Sequence, residues 1–327
     1  MAAPGVARAL AESDHRSILV VGDVMLDEYQ WGSSERLLPD SAAPVIELER
    51  CDSALGGAGN AAANAAGLGA DTYLVGVTGA DDAAAMTRDM ANRIGVTCRF
   101  VELPNRPTSR KARLYANGRP VARLDREVRR PVGAETVTRL LDASREVLGA
   151  VDVLLVSDYA KGTVTEPFAA ALLAEARNHQ LLVVVDTKRQ SPNCYRGCDA
   201  VTPNVNELER WVGRALPTSP ERSVAAVEFT RRLDCRFMLL TEGSEGMTLY
   251  SREGSSHFPA RTEHVVDSSG AGDTMAVTFA LGLSAGLRPR EAAELANDAA
   301  GVVVQRQGTS PISLTALSNA RWGQGTD

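Results

Sequence analysis

Short, continuous apolar runs alternate along this chain with longer stretches of helical period, and that alternation restricts the fold more than any other feature. The runs at 17–23 (SILVVGD), 72–79, 151–158, 181–186, 200–203 and 237–243 carry apolar, often β-branched side chains without in/out alternation. A strand of that kind must be covered on both faces, as in a parallel sheet. Helical periods fill 57–69, 82–94, 134–148, 165–180 and 222–233, with further helices at about 271–285 and 289–307, most ending at Gly or polar residues. Strand–helix alternation predicts an α/β, doubly wound, mostly parallel sheet sandwiched by helices, with ligands at the C-terminal ends of the strands. Two stretches break the pattern. Residues 37–51 and 97–125 are richer in Pro, Arg and β-branched residues and read as short antiparallel strands of a small projecting lid, with turns at 103–107 and 117–120. Exposed strands of this kind invite pairing, so a homodimer through the lid is expected. No repeat, low-complexity segment or linker interrupts the chain. The expected organisation is a flexible segment at 1–16 and one domain at 17–327.

Composition excludes several classes. The chain has 327 residues, 44% hydrophobic and 23% charged, with a net charge of −6. A negative balance with scattered arginines supplies no field for nucleic acid or anionic membrane. No apolar run reaches the ~20 residues that span a bilayer. The first residues contain Glu12 and Asp14 and lack the apolar stretch of a secretory signal. The five cysteines lack paired C-x-x-C spacing, and Cys194 and Cys198 form a lone C-x3-C without a nearby His. They read as reduced thiols, and the expected location is cytoplasmic.

The chemistry concentrates near the C-terminus in Asp267-Ser268-Ser269-Gly270-Ala271-Gly272-Asp273, which runs straight into an apolar helix. A turn without side-chain bulk at a helix N-terminus points several N–H groups at one spot, and the helix dipole adds positive charge there, so an anion is stabilised. A carboxylate in that first turn is a poor phosphate ligand but a good base for a substrate hydroxyl. The combination suggests phosphoryl transfer to an alcohol, with Asp273 as base and Gly270, Ala271 and Gly272 as the anion cradle. An ordinary N-cap would use the same Asp.

Other constellations fit that reading. From Gly57, the run Gly56-Gly57-Ala58-Gly59-Asn60 matches a dinucleotide fingerprint, but residues 51–55 make a poor strand, which argues against a dehydrogenase. A Gly-rich turn that lets a polyol approach backbone is the better reading, with Asn60 and Asn64 one helical turn apart for binding hydroxyls. A plain Ala-rich packing helix is the alternative. Asp23 and Asp27 follow the first strand run and suit sugar hydroxyls, although Asp27 could be a cap. Asn204 and Glu207 stand at N-x-x-E spacing, suited to water-mediated Mg²⁺ or to a capping box. Thr241, Gly243 and Gly246 form a strand-end turn that could border a nucleotide. In Asp158-Tyr159-Ala160-Lys161-Gly162, the lysine could reach a phosphate or lie on the surface.

The ordered set Gly22-Asp23, Gly56-Gly57-x-Gly59-Asn60, Asp158 to Gly162, Asn204-x-x-Glu207, Thr241-x-Gly243-x-x-Gly246 and Asp267 to Asp273 resembles the ribokinase-like (PfkB) carbohydrate kinases over nearly the whole chain. More narrowly, residues 22–29, 157–162, 195–197, 201–204, 244–247 and 300–304 are similar to the kinase half of the bacterial ADP-heptose pathway enzyme. That kinase phosphorylates C1 of D-glycero-β-D-manno-heptose 7-phosphate to the 1,7-bisphosphate. The resemblance implies ATP and Mg²⁺ as cofactors. It places Asp23, Asp27, Gly56, Gly57, Asn60, Asn64 and Asp158 at the sugar, with Lys111 and Arg113 among the lid cations available to the 7-phosphate beside Arg36, Arg110 and Arg123. It places Lys161, Asn204, Thr241, Gly243, Gly246, Ser269 and Asn297 at ATP, and Asn204 and Glu207 at Mg²⁺ through water.

The chain also departs from the pattern. Ser269 stands where the family has Thr, and residues 38–44 and 115–119 differ from the heptose kinases near the expected substrate entrance. The sequence ends at Asp327, so a separate enzyme is expected for the nucleotidyl-transfer step. A kinase for another sugar or sugar phosphate, or a catalytically silent sugar or nucleotide sensor, are the alternatives. The sensor would be expected to have lost Asp273 or the glycine pair.

Overall fold

The computed structural model describes residues 17–262 and 264–320, so the segment 1–16 lies outside the described residues. Strand β1 (Ser17–Gly22) shows why the apolar runs are continuous. Ile18 and Val20 join the core on one side of the sheet, and Leu19 and Val21 join the core on the other. The first core is closed by helices α1 (Ala58–Gly67), α7 (Ala271–Ser284) and α8 (Pro289–Val303), through Met275, Phe279 and Leu295. The second is closed by α3 (Ala134–Leu148), α4 (Glu166–Asn178), α5 (Val205–Val212) and α6 (Ser219–Leu233), through Leu140, Phe168, Trp211 and Phe229. Helix α2 (Asp82–Arg93) flanks the sheet, its N-cap Asp81 accepting from the Ala84 N–H.

The main sheet has nine strands in the order β13-β12-β11-β10-β9-β8-β1-β4-β5. These are β4 (Asp71–Thr78), β5 (Thr97–Glu102), β8 (Val153–Asp158), β9 (Leu182–Thr187), β10 (Ala200–Val201), β11 (Phe237–Thr241), β12 (Met247–Ser251) and β13 (Gly254–Phe258). Pairing is parallel from β5 through β11, and antiparallel for β11–β12 and β12–β13. The order reverses at β1, between β4 and β8. A crevice for ligand opens at such a switch point.

The small sheet is real, but its strands differ from the expectation. It runs β3-β2-β6-β7, built from β2 (Val24–Leu37), β3 (Pro44–Gly57), β6 (Ser109–Ala116) and β7 (Arg119–Arg126). Residues 97–102 are not lid: they form β5, a parallel edge strand of the main sheet. Strand β2 lies upstream of the expected lid in all but its last residue, Leu37, and its pairing with β6 is parallel. The reason is local. Residues 24–27 and Tyr29 of β2 are buried in the body, whereas the strand grows more exposed from Gln30 to Leu37, so no single burial period spans it. Register shifts at Trp31/Gly32 and Ser33/Arg36 add twist to the β2–β3 ribbon. Among the described residues, no helix is long and apolar enough to cross a membrane.

Candidate active site

Gly270 caps α7 in the left-handed region, at φ +80. A Cβ there would stand 2.7 Å from the Asn60 amide nitrogen, so the position demands glycine twice over. The loop before it is pinned by Asp267, whose Oδ1 accepts the Ser269 N–H at 2.8 Å and whose Oδ2 accepts the Gly308 N–H at 3.0 Å. Burial works to raise the Asp267 pKa, but these donors outweigh it and hold the carboxyl below its ordinary value. The first N–H groups of a helix lack intrahelical partners. A side chain on Gly272 would meet nothing within 4 Å, so this turn faces open space.

Asp273 is buried in that first turn. Its Oδ2 accepts from Asn60 Nδ2 at 2.7 Å and its Oδ1 from the Tyr159 hydroxyl at 2.8 Å. Burial, then the nearby Asp186 carboxylate, push its pKa up to about 7 against the two donors. A carboxylate poised near neutrality, at the edge of an anion-stabilising turn, is suited to take a proton from an alcohol.

Asn64 does a different job from the one expected. Its amide donates to the Asn60 carbonyl at 2.8 Å and to Asn60 Oδ1 at 3.2 Å, and its Oδ1 accepts from Thr274 Oγ1 at 2.8 Å and Ile312 N at 2.9 Å. All four amide positions are filled and the side chain is fully buried. Asn64 orients Asn60 rather than presenting a group to sugar. Asn64→Leu is expected to cost about 2 kcal/mol or more, because buried partners lose their bonds. Thermal unfolding, read as a drop in Tm of several degrees, checks it.

Beside Asp273 opens a cavity of about 1110 Å³ lined by Tyr159, Asp186, Lys188, Asn204, Thr241, Gly243, Gly246, Gly270, Gly272, Asp273 and Asn297. The turn after β11 shapes one wall, with Gly243 at φ +63 and Gly246 at φ +98. Asn297 is buried and donates to the Pro259 carbonyl at 2.8 Å. Ser268, not Ser269, lines the cavity; Ser269 is spent on Asp267. Asn204 and Glu207 form a complete capping box: Asn204 Oδ1 accepts from Glu207 N and Glu207 Oε2 from Asn204 N, both at 2.9 Å. The amide oxygen expected to face Mg²⁺ is therefore engaged in the cap. The other Glu207 oxygen lies 3.1 Å from Lys188 Nζ, which also meets Asp186 at 3.0 Å. Burial works to lower the Lys188 pKa, but the two carboxylates raise it, so Lys188 stays charged.

Sequence reasoning missed Asp186 and Lys188. Asp186 is the next-to-last residue of β9, as Asp158 is the last of β8, and the strand-end rule applied to Asp23 would have found it. Lys188 and Arg261, not Lys161, are the cations among the residues that line the cavity. Lys161 donates to Glu127 at 2.6 Å and is not a cavity residue. Asp23 accepts the N–H groups of Tyr159, Lys161 and Thr163 at 2.9, 3.0 and 3.1 Å. Asp158 is fully buried and accepts from Ala160 N at 2.9 Å, Tyr195 Oη at 2.5 Å and the Arg189 guanidinium. Both acids shape the turn 158–163, which needs the positive φ of Ala160 and Gly162, and through it they place Tyr159. Neither has a carboxylate turned to the cavity's lining.

On the far side of Asp273 lies the base of the lid. Gly56 and Gly57 end β3, and a Cβ on Gly56 would stand 2.8 Å from Asp27 Oδ2. Gly57 has φ +56, and a Cβ there would strike the Asp23 carbonyl at 2.4 Å. Asp27 Oδ1 accepts from Arg113 at 3.0 Å. Lys111 pairs with Asp125 at 3.3 Å and Glu127 at 3.2 Å. Arg110, on the other face of β6, pairs with Glu28 at 2.6 Å.

A doubly wound sheet whose crevice joins an anion-stabilising helix N-terminus to a buried base defines a phosphotransferase acting on an alcohol. The family model described as pfkB family carbohydrate kinase matches residues 15–316. The chain belongs to that family of carbohydrate kinases. It is 39% identical over 304 residues to Bifunctional protein HldE of Pelobacter propionicus, covering 92% of this chain and 62% of the relative. With Bifunctional protein HldE of Aeromonas hydrophila it shares 40% identity over 315 residues, covering 95% and 65%. The chain thus spans under two thirds of the length of these relatives. Among solved structures, Arabidopsis thaliana ribokinase complexed with ribose and ATP superposes with a TM-score of 0.72 at 22% identity, covering 94% of this chain and 100% of that one. Escherichia coli phosphofructokinase-2 in complex with substrates and products gives 0.79 at 17% identity, covering 92% and 97%. These two share the fold.

Proposed function

We propose that the protein transfers the γ-phosphoryl of ATP to the C1 hydroxyl of D-glycero-β-D-manno-heptose 7-phosphate, giving the 1,7-bisphosphate. The observation that carries the reaction is Asp273, buried between Asn60 on the lid side and Tyr159 on the cavity side, one turn from Gly270. In this reading, Asp273 takes the C1 proton and the N–H groups of Gly270 to Gly272 stabilise the transferring charge. The cavity takes ATP, with its purine end toward Asn297 and the turn 241–246. Lys188 offsets phosphate charge. Sugar hydroxyls meet Asp27, Asn60 and the Gly56-Gly57 backbone.

The donor set fits a hydrated Mg²⁺ carried by the nucleotide rather than a protein cage. Among the described residues, no group of three or more His, Cys, Asp or Glu is arranged to hold a metal, and Mg²⁺ in kinase sites keeps several waters. Asp186 and Glu207 would hold it through water, and the ion would supply charge neutralisation at the phosphates.

The heptose assignment is supported by similarity to HldE proteins along almost the whole chain and by cations on the lid's inner face. Lys111 and Arg113 are both in carboxylate pairs that an incoming phosphate could replace. Assembly of two chains through the small sheet is part of the same proposal; β7 is exposed along its length and Leu48 and Leu124 are bare on that sheet.

ADP release with ATP and Mg²⁺ tests the assignment on the heptose 7-phosphate, free heptose, fructose 6-phosphate and ribose. Turnover is expected on the heptose 7-phosphate above the others. Arg113→Ala together with Lys111→Ala is expected to raise its KM roughly 10- to 100-fold, the worth of a charge-assisted bond, with far less effect on unphosphorylated sugar. Preference for another sugar sinks the heptose assignment.

A further inference from the structure

The residue that joins the lid to the phosphate loop is Thr309, on the segment after α8. Its N–H donates to the Tyr29 hydroxyl oxygen at 2.9 Å, its Oγ1 lies 2.9 Å from the same hydroxyl, and its own O–H donates to Asp27 Oδ2 at 3.2 Å. One proton arrangement satisfies all three, with Tyr29 donating to Thr309 Oγ1. One residue earlier, the Gly308 N–H donates to Asp267, which also holds Ser269. Gly308 has φ +72, and a Cβ there would stand 2.9 Å from the Tyr29 ring. The Thr309 methyl stands 3.0 Å from where a Cβ on Gly270 would lie. At the other end, Asp27 accepts from Arg113, whose guanidinium lies 5.2 Å from the Tyr29 ring centre. Asp27 and Tyr29 are both buried, so water competes weakly for these bonds.

We propose that Tyr29 and Thr309 are positioning residues that couple occupancy of the sugar site at Asp27 to the order of the phosphate loop 267–270. The inference rests on the reading that sugar meets Asp27 and phosphoryl meets Gly270 to Gly272. A sugar that engages Asp27 and Arg113 holds Thr309 in place. Thr309 carries Gly308, and Gly308 holds the Asp267 carboxylate that shapes the loop. Sugar then tightens nucleotide binding, and by linkage nucleotide tightens sugar binding by the same factor.

The test uses the full chain and titration calorimetry. Affinity for ADP with Mg²⁺ is measured with and without the sugar phosphate that the parent turns over, for the parent, Tyr29→Phe, Thr309→Val, the double variant and Thr309→Ser. The expected result is a sugar-dependent gain in ADP affinity that shrinks roughly 2- to 30-fold in Tyr29→Phe and Thr309→Val, with ADP affinity unchanged in the absence of sugar. The double variant should be no worse than either single one, and Thr309→Ser, which keeps the hydroxyl, should retain the gain. A parent whose ADP affinity ignores the sugar overturns the proposal. So do variants with the parental gain, or variants that lose ADP affinity equally with and without sugar. An Asp273→Asn control separates the two levels. If that variant turns over sugar like the parent, the site assignment fails and the coupling fails with it. If it is inert while Tyr29→Phe and Thr309→Val keep the full gain, only the coupling fails.

Discussion

Replacing Asp273 by Asn is expected to leave a folded protein that still binds ATP but turns over sugar ~10²–10⁴-fold more slowly or worse, the usual worth of a positioned base. The amide keeps the shape of the carboxylate and its oxygen can still accept the Tyr159 hydroxyl, while its NH₂ meets the Asn60 donor, so sugar binding is measured beside turnover to assign the loss to proton transfer. Two further results follow from the same group. Its pKa of about 7 in the ligand-free protein places the acidic limb of kcat/KM near neutral pH, because the carboxylate must be ionised to act, and the variant's residual activity should lack that limb. Stability should move the opposite way. The folded pKa lies above the ordinary 3.8, so between these values the folded state holds a proton that the unfolded chain has lost. Its contribution is full below about pH 4 and is lost as pH rises through about 7. The Tm of the parent should therefore fall relative to that of Asp273→Asn across this window, as seen by calorimetry. Parental activity in the variant would remove Asp273 from the chemistry.

Gly272→Leu is the sharper probe of the anion cradle, because stability and activity are expected to part company. A Cβ on Gly272 meets no atom within 4 Å, and Gly in a helix interior is about 1 kcal/mol poorer than Ala, a cost that is smaller at this first-turn position. The variant should melt at or above the parental temperature. Its side chain, however, projects into the cavity beside Asp273, where the transferring phosphoryl group is proposed to lie. A loss of kcat/KM for ATP of ~10²–10³-fold is expected, comparable to removing an oxyanion donor. Gly270→Ala would not separate the effects, since φ +80 and the close Asn60 amide make it costly to folding as well. Unimpaired turnover by a stable Gly272→Leu protein would place the phosphoryl group elsewhere.

What was legible in the sequence follows one physical rule: local pattern reports local environment. The apolar runs are continuous because successive side chains of β1 enter two different cores, and this alone dictated a sheet covered on both faces. The Gly270 to Asp273 turn declared an anion site because glycine, helix N-terminus and acid are neighbours along the chain. The lid was misplaced at its start because β2 changes from buried to exposed midway, leaving no period to detect. Residues 97–102 read as lid but join the main sheet, where an edge strand is only half-buried.

The division of labour among the polar residues was decided only by the folded chain. Asp23, Asp158 and Asn64 read as sugar ligands because strand ends and helix faces supply exposed polar groups in general. In the fold, each finds enough internal donors and acceptors to be used up: Asp23 and Asp158 on the turn that carries Tyr159, Asn64 on Asn60. The capping box of Asn204 and Glu207 was written in the sequence as one of two alternatives, and the geometry chose it. Lys188 lines the cavity where Lys161 does not, because Glu127, distant from both in the chain, holds Lys161. Thr309 carried no signal at all. Its meaning depends on meeting Tyr29 and Asp27 across 280 and 282 positions of sequence. Hydrogen-bond saturation is a property of three-dimensional neighbours, so the sequence determined the fold class and the reactive turn, and only tertiary structure decided which polar residues were left free to act.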